Sequence, residues 1–271
     1  MRNGPNDPMI PLHFDRERMR KIMASKGIDI DDPQALERGR ELIAKKNHDD
    51  LAQLKREKRQ DVERYSLWSG SESTNFTFKD WRPDLQANEQ LAREIGTRAW
   101  RLARELADGD KRFNIALLGV PGTGKTSLAI AIANELRAKG KSLIFLSTNL
   151  LKNYFAGDYY SDPRVKNECD LTITMACKAD VLVLDDWGTE GGVGERMAPV
   201  RRDMASAMFN IANHRFDGQK NEARGITIIT SNNSMGQLEI MYDPKTVSRL
   251  APESSDHILE FKGLSDVRGK R

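Results

Sequence analysis

The stretch Asn114-Ile115-Ala116-Leu117-Leu118-Gly119-Val120-Pro121-Gly122-Thr123-Gly124-Lys125-Thr126-Ser127-Leu128-Ala129-Ile130 decides the fold. Its apolar opening predicts a short buried strand, its glycines a tightly curled loop, and the Leu/Ala/Ile run behind them a helix reaching to about residue 139. Strand, glycine-rich turn and helix in that order make a P-loop. The glycines let successive N–H groups point inward at a phosphate, and the helix presents its N-terminus to the same charge. Gly119, Pro121, Gly122, Thr123, Gly124, Lys125, Thr126 and Ser127 are the candidate binding residues for ATP or GTP. Lys125 is spaced to reach the β- and γ-phosphates, and Thr126 to offer its hydroxyl to the Mg²⁺ that bridges them.

Further apolar runs at 142–146, 181–184 and 225–230 are separated by helical patterns. Strands apolar on both faces and alternating with helices imply a parallel sheet covered on both sides, a three-layer α/β/α architecture. Ahead of the P-loop strand, residues 88–107 show helical spacing through Leu91, Ile95, Ala99 and Leu102, and an aromatic cluster of Phe76, Phe78 and Trp81 precedes them. The N-terminal part differs in kind. Residues 14–24 predict a short helix, and residues 32–65, dense in charge with Leu36, Ile43, Leu51, Leu54 and Val62 at loose helical intervals, predict one or two amphipathic helices. So few large apolar side chains make a poor independent core, so this segment is extended over the surface or ordered by a partner. The Ser/Gly-rich residues 66–73 look like a linker. The expected division is a helical partner-binding arm over 1–65, a linker over 66–75 and a nucleotide-binding domain over 76–271.

The 271 residues, 38% hydrophobic and 31% charged, describe a soluble globular protein, and no run of residues suits a membrane span or a secretory leader. The expected location is the cytoplasm. Cys169 and Cys177 are spaced for neither a metal pair nor a disulfide framework, and the scattered histidines support no metal beyond nucleotide-bound Mg²⁺. A net charge of +3 is too small to argue for nucleic acid by itself.

Phosphoryl transfer needs one carboxylate for the magnesium shell and another to orient the attacking water. Asp185 and Asp186 end the 181–184 run, at the strand edge where open α/β sheets bind ligands. Asp185 is assigned to Mg²⁺, through water, and Asp186 to water activation. Glu is the commoner residue for that second role, and Glu190 competes for it. Asn232, at the end of the 225–230 strand, is chosen to sense the γ-phosphate, although Ser231-Asn232-Asn233-Ser234 equally suits a turn or helix cap.

Taken in order, the P-loop, Leu182-Val-Leu-Asp185-Asp186-Trp-Gly188, Thr230-Ser231-Asn232, Ser248-Arg249-Leu250 and Gly263-Leu-Ser-Asp-Val-Arg268 resemble the AAA+ ATPases of the DnaC/DnaI helicase-loader and IstB branch. The resemblance covers about residues 76–268. It implies an AAA+ P-loop NTPase that hydrolyses ATP with Mg²⁺ in an open ring or spiral, each site completed by a neighbouring subunit. By that resemblance Arg249 matches the arginine finger, acting on the neighbour's γ-phosphate, and Arg268 matches the second sensor, acting in cis. Such roles suit a planar, permanently charged donor. Arg215 is a further candidate for the subunit interface. The residues after Arg249 are too few for a full helical lid, so the expected lid is minimal.

Between the second and third strands lies Leu151-Lys152-Asn153-Tyr154-Phe155-Ala156-Gly157-Asp158-Tyr159-Tyr160. Aromatic faces stack on unpaired bases and cations meet phosphates, so Lys152, Tyr154, Phe155, Tyr159 and Tyr160, with Arg164 nearby, are candidates for single-stranded DNA contact. In the resembling family this region faces the central channel. The favoured function is a loader that grips a DnaB-type replicative helicase with its arm and delivers it to single-stranded DNA. The alternative is an IstB-like transposition ATPase that wraps duplex DNA and recruits a transposase.

Overall fold

The computed structural model describes residues 17, 20–21, 24–25, 32–70, 74–109, 111–157, 160–192 and 197–269. The helix expected over 14–24 lies mostly outside the described residues. The chain divides into two units, Met1–Lys55 and Arg56–Arg271.

Helix α1 runs unbroken through Pro33–Glu63, so the charged segment is one helix rather than two. In the first unit its apolar side chains Leu42, Ile43, Leu51 and Leu54 are all more than half exposed. Its last turns belong to the second unit. There the Arg59 guanidinium donates to the Gly140 carbonyl at 3.1 Å, and Arg137 pairs with Glu63 at 2.6 Å. The linker expected over 66–73 is corrected in its first part. Leu67 exchanges backbone hydrogen bonds with Phe145 and Ser147, and the Trp68 ring stacks on Phe145 with centroids 4.0 Å apart. A Ser/Gly-rich composition hid two apolar residues that cover the sheet's edge.

Helix α2, Glu89–Asp108, starts at Asn88, whose side chain accepts from the Leu91 N–H, and buries Ala92, Ile95, Ala99, Leu102 and Leu106 along one stripe. Then follow β1 (Ile115–Leu118), α3 (Lys125–Ala138), β2 (Leu143–Ser147), α4 (Thr148–Ala156), α5 (Pro163–Lys178), β3 (Val181–Asp185), α6 (Arg202–His214), β4 (Phe216–Asp217), β5 (Glu222–Ala223), β6 (Ile226–Ser231), α7 (Met235–Met241), α8 (Pro244–Leu250) and β7 (Ile258–Glu260). The main sheet is parallel, in the order β2-β3-β6-β1-β7. Residues β4 and β5 form a separate antiparallel pair.

Successive strand residues face opposite layers, and both faces are apolar. Ile115, Leu117, Phe145, Val181, Val183 and Ile228 pack with α2 and α3, whereas Ala116, Ile144, Leu146, Leu182, Leu184 and Ile229 pack with α4 to α8. Each fully buried Leu or Ile contributes about 1.5–3 kcal/mol relative to exposure, so the two cores make this sheet the rigid frame of the second unit. The three-layer expectation therefore holds. Among the described residues no helix is long and apolar enough to cross a membrane.

Arg215 is corrected. It is 2% exposed, and its guanidinium donates to the carbonyls of Ala176, Ala179 and Ile226 and to Thr227 Oγ1. Burial lowers its pKa to about 10, which leaves it charged at neutral pH. It closes the C-terminal end of α5 against the start of β6, where a helix's free carbonyls favour a cation. An internal clamp with its donors used in this way cannot also reach a neighbouring subunit.

Candidate nucleotide-binding site

The register of the sheet brings the candidate residues together. Leu118 stands opposite Ser231, Leu184 opposite Ile229 and Ser147 opposite Asp185, so β1, β3 and β6 end at one edge. Asp185 is thereby placed beside Thr230, whose hydroxyl donates to Asp185 Oδ1 at 2.7 Å. Thr126 Oγ1 donates to the same carboxylate oxygen at 2.8 Å, and Thr230 Oγ1 in turn accepts from the Asp186 N–H at 2.9 Å. One buried carboxylate is thus shared between the P-loop helix and β6, and one hydroxyl ties both aspartates together.

Two of the loop's glycines show why the loop needs them. Gly122 has φ 79° and Gly124 φ 95°, and a Cβ at Gly124 would stand 2.6 Å from the Trp81 ring. At Gly122 the obstacle is Asp266, whose carboxylate carbon lies 2.1 Å from where a Cβ would sit. The C-terminal segment therefore lies on the P-loop: the Val267 N–H donates to the Gly122 carbonyl at 3.1 Å. Gln86 holds both, accepting from the Ser265 N–H at 2.8 Å while its amide reaches the Thr123 carbonyl at 3.4 Å. Gln86 carries no signal in the sequence, because it matters only through neighbours far along the chain.

Lys125 is buried, and its ammonium donates to the Val120 carbonyl and to Asn232 Oδ1, both at 2.8 Å. Asn232 therefore stands at the P-loop lysine. Burial lowers the Lys125 pKa to about 8; Asp186 and Asp185 pull it up, and Arg268 pushes it down. Arg268 follows Val267, whose N–H bonds the Gly122 carbonyl, and its exposed guanidinium lies 4.0 Å from Asp266.

These signs give a pH prediction. A folded pKa below the usual lysine value means that the unfolded chain holds the proton more firmly between about pH 8 and the ordinary range near 10.4, so Lys125 adds stability as pH rises through that window. Nucleotide phosphates favour the charged form, so ATP affinity moves the other way and falls as pH rises above about 8. Titration of a fluorescent ATP analogue between pH 7 and 9.5 checks this, with proton uptake on binding at the upper end as the expected signature.

Asp186 adopts φ 54°, a left-handed conformation that Asp tolerates better than Glu. Glu190, the competitor, is engaged elsewhere. It accepts from Thr148 Oγ1 at 2.9 Å, from the Gly188 N–H at 3.2 Å and from the Tyr242 hydroxyl, while burial raises its pKa against those bonds.

The DNA candidates are not one platform. Phe155 is 3% exposed and packs in the core beside Leu151, so it offers no face for a base, which corrects that expectation. Tyr154 donates to Glu168 at 3.1 Å, the Lys152 ammonium lies 3.4 Å from the Glu190 carbonyl, and Arg164 pairs with Asp162. Tyr160 is exposed, with its hydroxyl 3.3 Å from Asp203, and Tyr159 lies outside the described residues.

Arg249 stands at the opposite edge. Its carbonyl accepts from the side chain of Asn114, the residue ahead of β1, at 3.2 Å. Lys125 follows the other end of β1, a strand whose four residues span about 13 Å. The P-loop and Arg249 thus lie toward opposite ends of β1.

Residues 70–253 match the family described as "IstB-like ATP binding protein". An ATP-binding protein of insertion sequence IS5376 from Geobacillus stearothermophilus is 29% identical over 162 residues, 59% of this chain and 55% of the relative. Its counterpart from insertion sequence IS21 of Pseudomonas aeruginosa is 25% identical over 173 residues, 63% of this chain and 57% of the relative. The chain spans just over half the length of these curated relatives. The crystal structure of DnaI shares the fold, with TM-score 0.51 and 21% identity over 74% of this chain and 96% of that one.

Proposed function

The chain belongs to the IstB-like ATP-binding protein family, and within it we propose an AAA+ ATPase that loads a DnaB-type replicative helicase onto single-stranded DNA. The reaction is ATP plus water to ADP and phosphate. Lys125 and the P-loop N–H groups hold the phosphates; Asp186 orients a water in line with the γ-phosphorus and accepts its proton as the bond to the bridging oxygen breaks. Asn232 senses the γ-phosphate, leaving Lys125 when the nucleotide takes the lysine's charge, and Arg268 adds a cation in cis. Thr126 and Asp185 suit Mg²⁺: they are hard oxygen donors in contact, and among the described residues no cluster of three or more His, Cys, Asp or Glu forms a cage without the phosphates. Magnesium held there supplies neutralisation of the phosphate charge.

Arg249 cannot serve its own chain's P-loop across the sheet, which supports its action on the ATP of an adjacent subunit in an open ring or spiral. Tyr160 and Lys152, with Tyr154 and Tyr159, remain the proposed contacts to DNA, and the proposed setting is a bacterial cytoplasm, a phage's host included.

The observation that carries the loader reading is α1: a long charged helix ahead of the ATPase unit, bearing exposed Ile43, Leu51 and Leu54 at spacings that share a face. The second reading, an ATPase that binds duplex DNA and recruits a transposase, is favoured by the insertion-sequence names of the relatives. One experiment separates them. Full-length chain is expected to retain a replicative helicase in pull-down, and a Leu51→Asp/Leu54→Asp variant to lose it roughly tenfold or more. Retention of a transposase instead, with the helicase in the flow-through, reverses the choice.

A further inference from the structure

The Arg249 guanidinium carbon lies over the Phe216 ring, 5.4 Å from its centroid, and both residues are half-buried. Phe216 opens β4, whose pairing with β5 sets Phe216 opposite Ala223 and Asp217 opposite Glu222. The root of this ribbon is fixed to the core. Arg215, the residue before Phe216, is the buried clamp described above, and its carbonyl accepts from the Arg224 N–H at 2.8 Å. Arg112 then donates to the Arg224 carbonyl at 2.8 Å. On the other side, Asn114 holds the end of α8 through the carbonyls of Arg249 and Ala251. A flexible four-bond side chain thus leaves a fixed helix end and rests on a fixed aromatic face.

We propose that Phe216 is a positioning residue for Arg249, holding the guanidinium ready for the ATP of a second copy of this chain. The proposal rests on the reading of Arg249 as a residue that acts in trans. An arginine free to sample its rotamers gives up that freedom on reaching a phosphate, and one already resting on a ring gives up less. The ring's negative face supplies the attraction without taking the guanidinium's N–H donors, which stay available for phosphoryl oxygens. This also gives the buried Arg215 clamp a purpose: it fixes the platform rather than joining the interface.

The test uses full-length protein under conditions where it assembles. Phe216→Leu is expected to lower turnover about tenfold, with the KM for ATP and self-association within about twofold of wild type. Phe216→Tyr, which keeps the ring, restores turnover. Pentafluorophenylalanine placed at 216 keeps shape and apolar area but removes the negative face, and is expected to reproduce the loss even where the leucine variant folds poorly. In an Arg249→Ala background, Phe216→Leu costs nothing further. Wild-type turnover with the fluorinated ring, or an equal loss with and without Arg249, overturns the positioning role. If Arg249→Ala alone turns over at the wild-type rate, the trans reading itself fails and the proposal with it; a large Arg249→Ala loss beside a silent Phe216→Leu sinks only the proposal.

Discussion

Lys125→Ala is expected to weaken ATP binding by at least about a hundredfold and to leave no measurable hydrolysis. The ammonium is buried at the carboxyl edge of β1, and among the described residues it donates to a carbonyl and an amide oxygen. Charge-assisted hydrogen bonds to phosphate contribute about 1.5–3 kcal/mol each, and a lysine reaching two phosphates makes more than one. Its removal also uncouples Asn232, the residue it joins to the P-loop. The fold itself should be nearly indifferent, because the lysine's partners are the Val120 carbonyl, beside an exposed side chain, and a half-buried asparagine. Equilibrium titration with a fluorescent nucleotide, beside thermal melting, checks both parts. Affinity near wild type would mean that the cradle does not use its lysine.

Arg249→Ala is expected to act on a different quantity. Nucleotide affinity of the isolated chain should stay within about twofold, since Arg249 lies at the far edge of the sheet from the P-loop, whereas turnover in the assembly should fall on the order of a thousandfold. That separation of binding from turnover distinguishes a residue acting on a neighbour's ATP from one that stabilises its own site. Stability should change by less than about 1 kcal/mol, the value of a half-exposed contact with an aromatic ring.

Much of this was legible in the sequence because its physics is local. A strand buried on both faces must be apolar throughout, so β1, β2, β3 and β6 stand out as short apolar runs, and the P-loop writes its backbone needs in glycine. Asp185, Asp186 and Asn232 follow from lying where those runs end. What escaped depends on partners distant in sequence. The three residues of β7 are too few to show a period, yet they pair with β1. Thr230 lies inside a recognised strand, but its part in joining Asp185 to Asp186 exists only once β3 and β6 are in register. Arg215, at the end of α6, resembles any surface arginine until its carbonyl acceptors on α5 and β6 are in place. Phe155 is a different case: Leu151 and Phe155 are four apart on α4, a spacing that marks a buried helix face as plainly as the aromatic cluster suggested a stacking surface.

In the proposed assembly each ATP site is shared between two copies, with Lys125 from one and Arg249 from the other. Mixing Lys125→Ala with Arg249→Ala subunits tests this sharing, since each variant alone is expected to turn over at no more than about a thousandth of the wild-type rate. In a one-to-one mixture about a quarter of the head-to-tail interfaces pair an intact cradle with an intact arginine, so turnover is predicted to recover to about a quarter of the wild-type rate. A mixture no more active than its separate components would contradict the shared site.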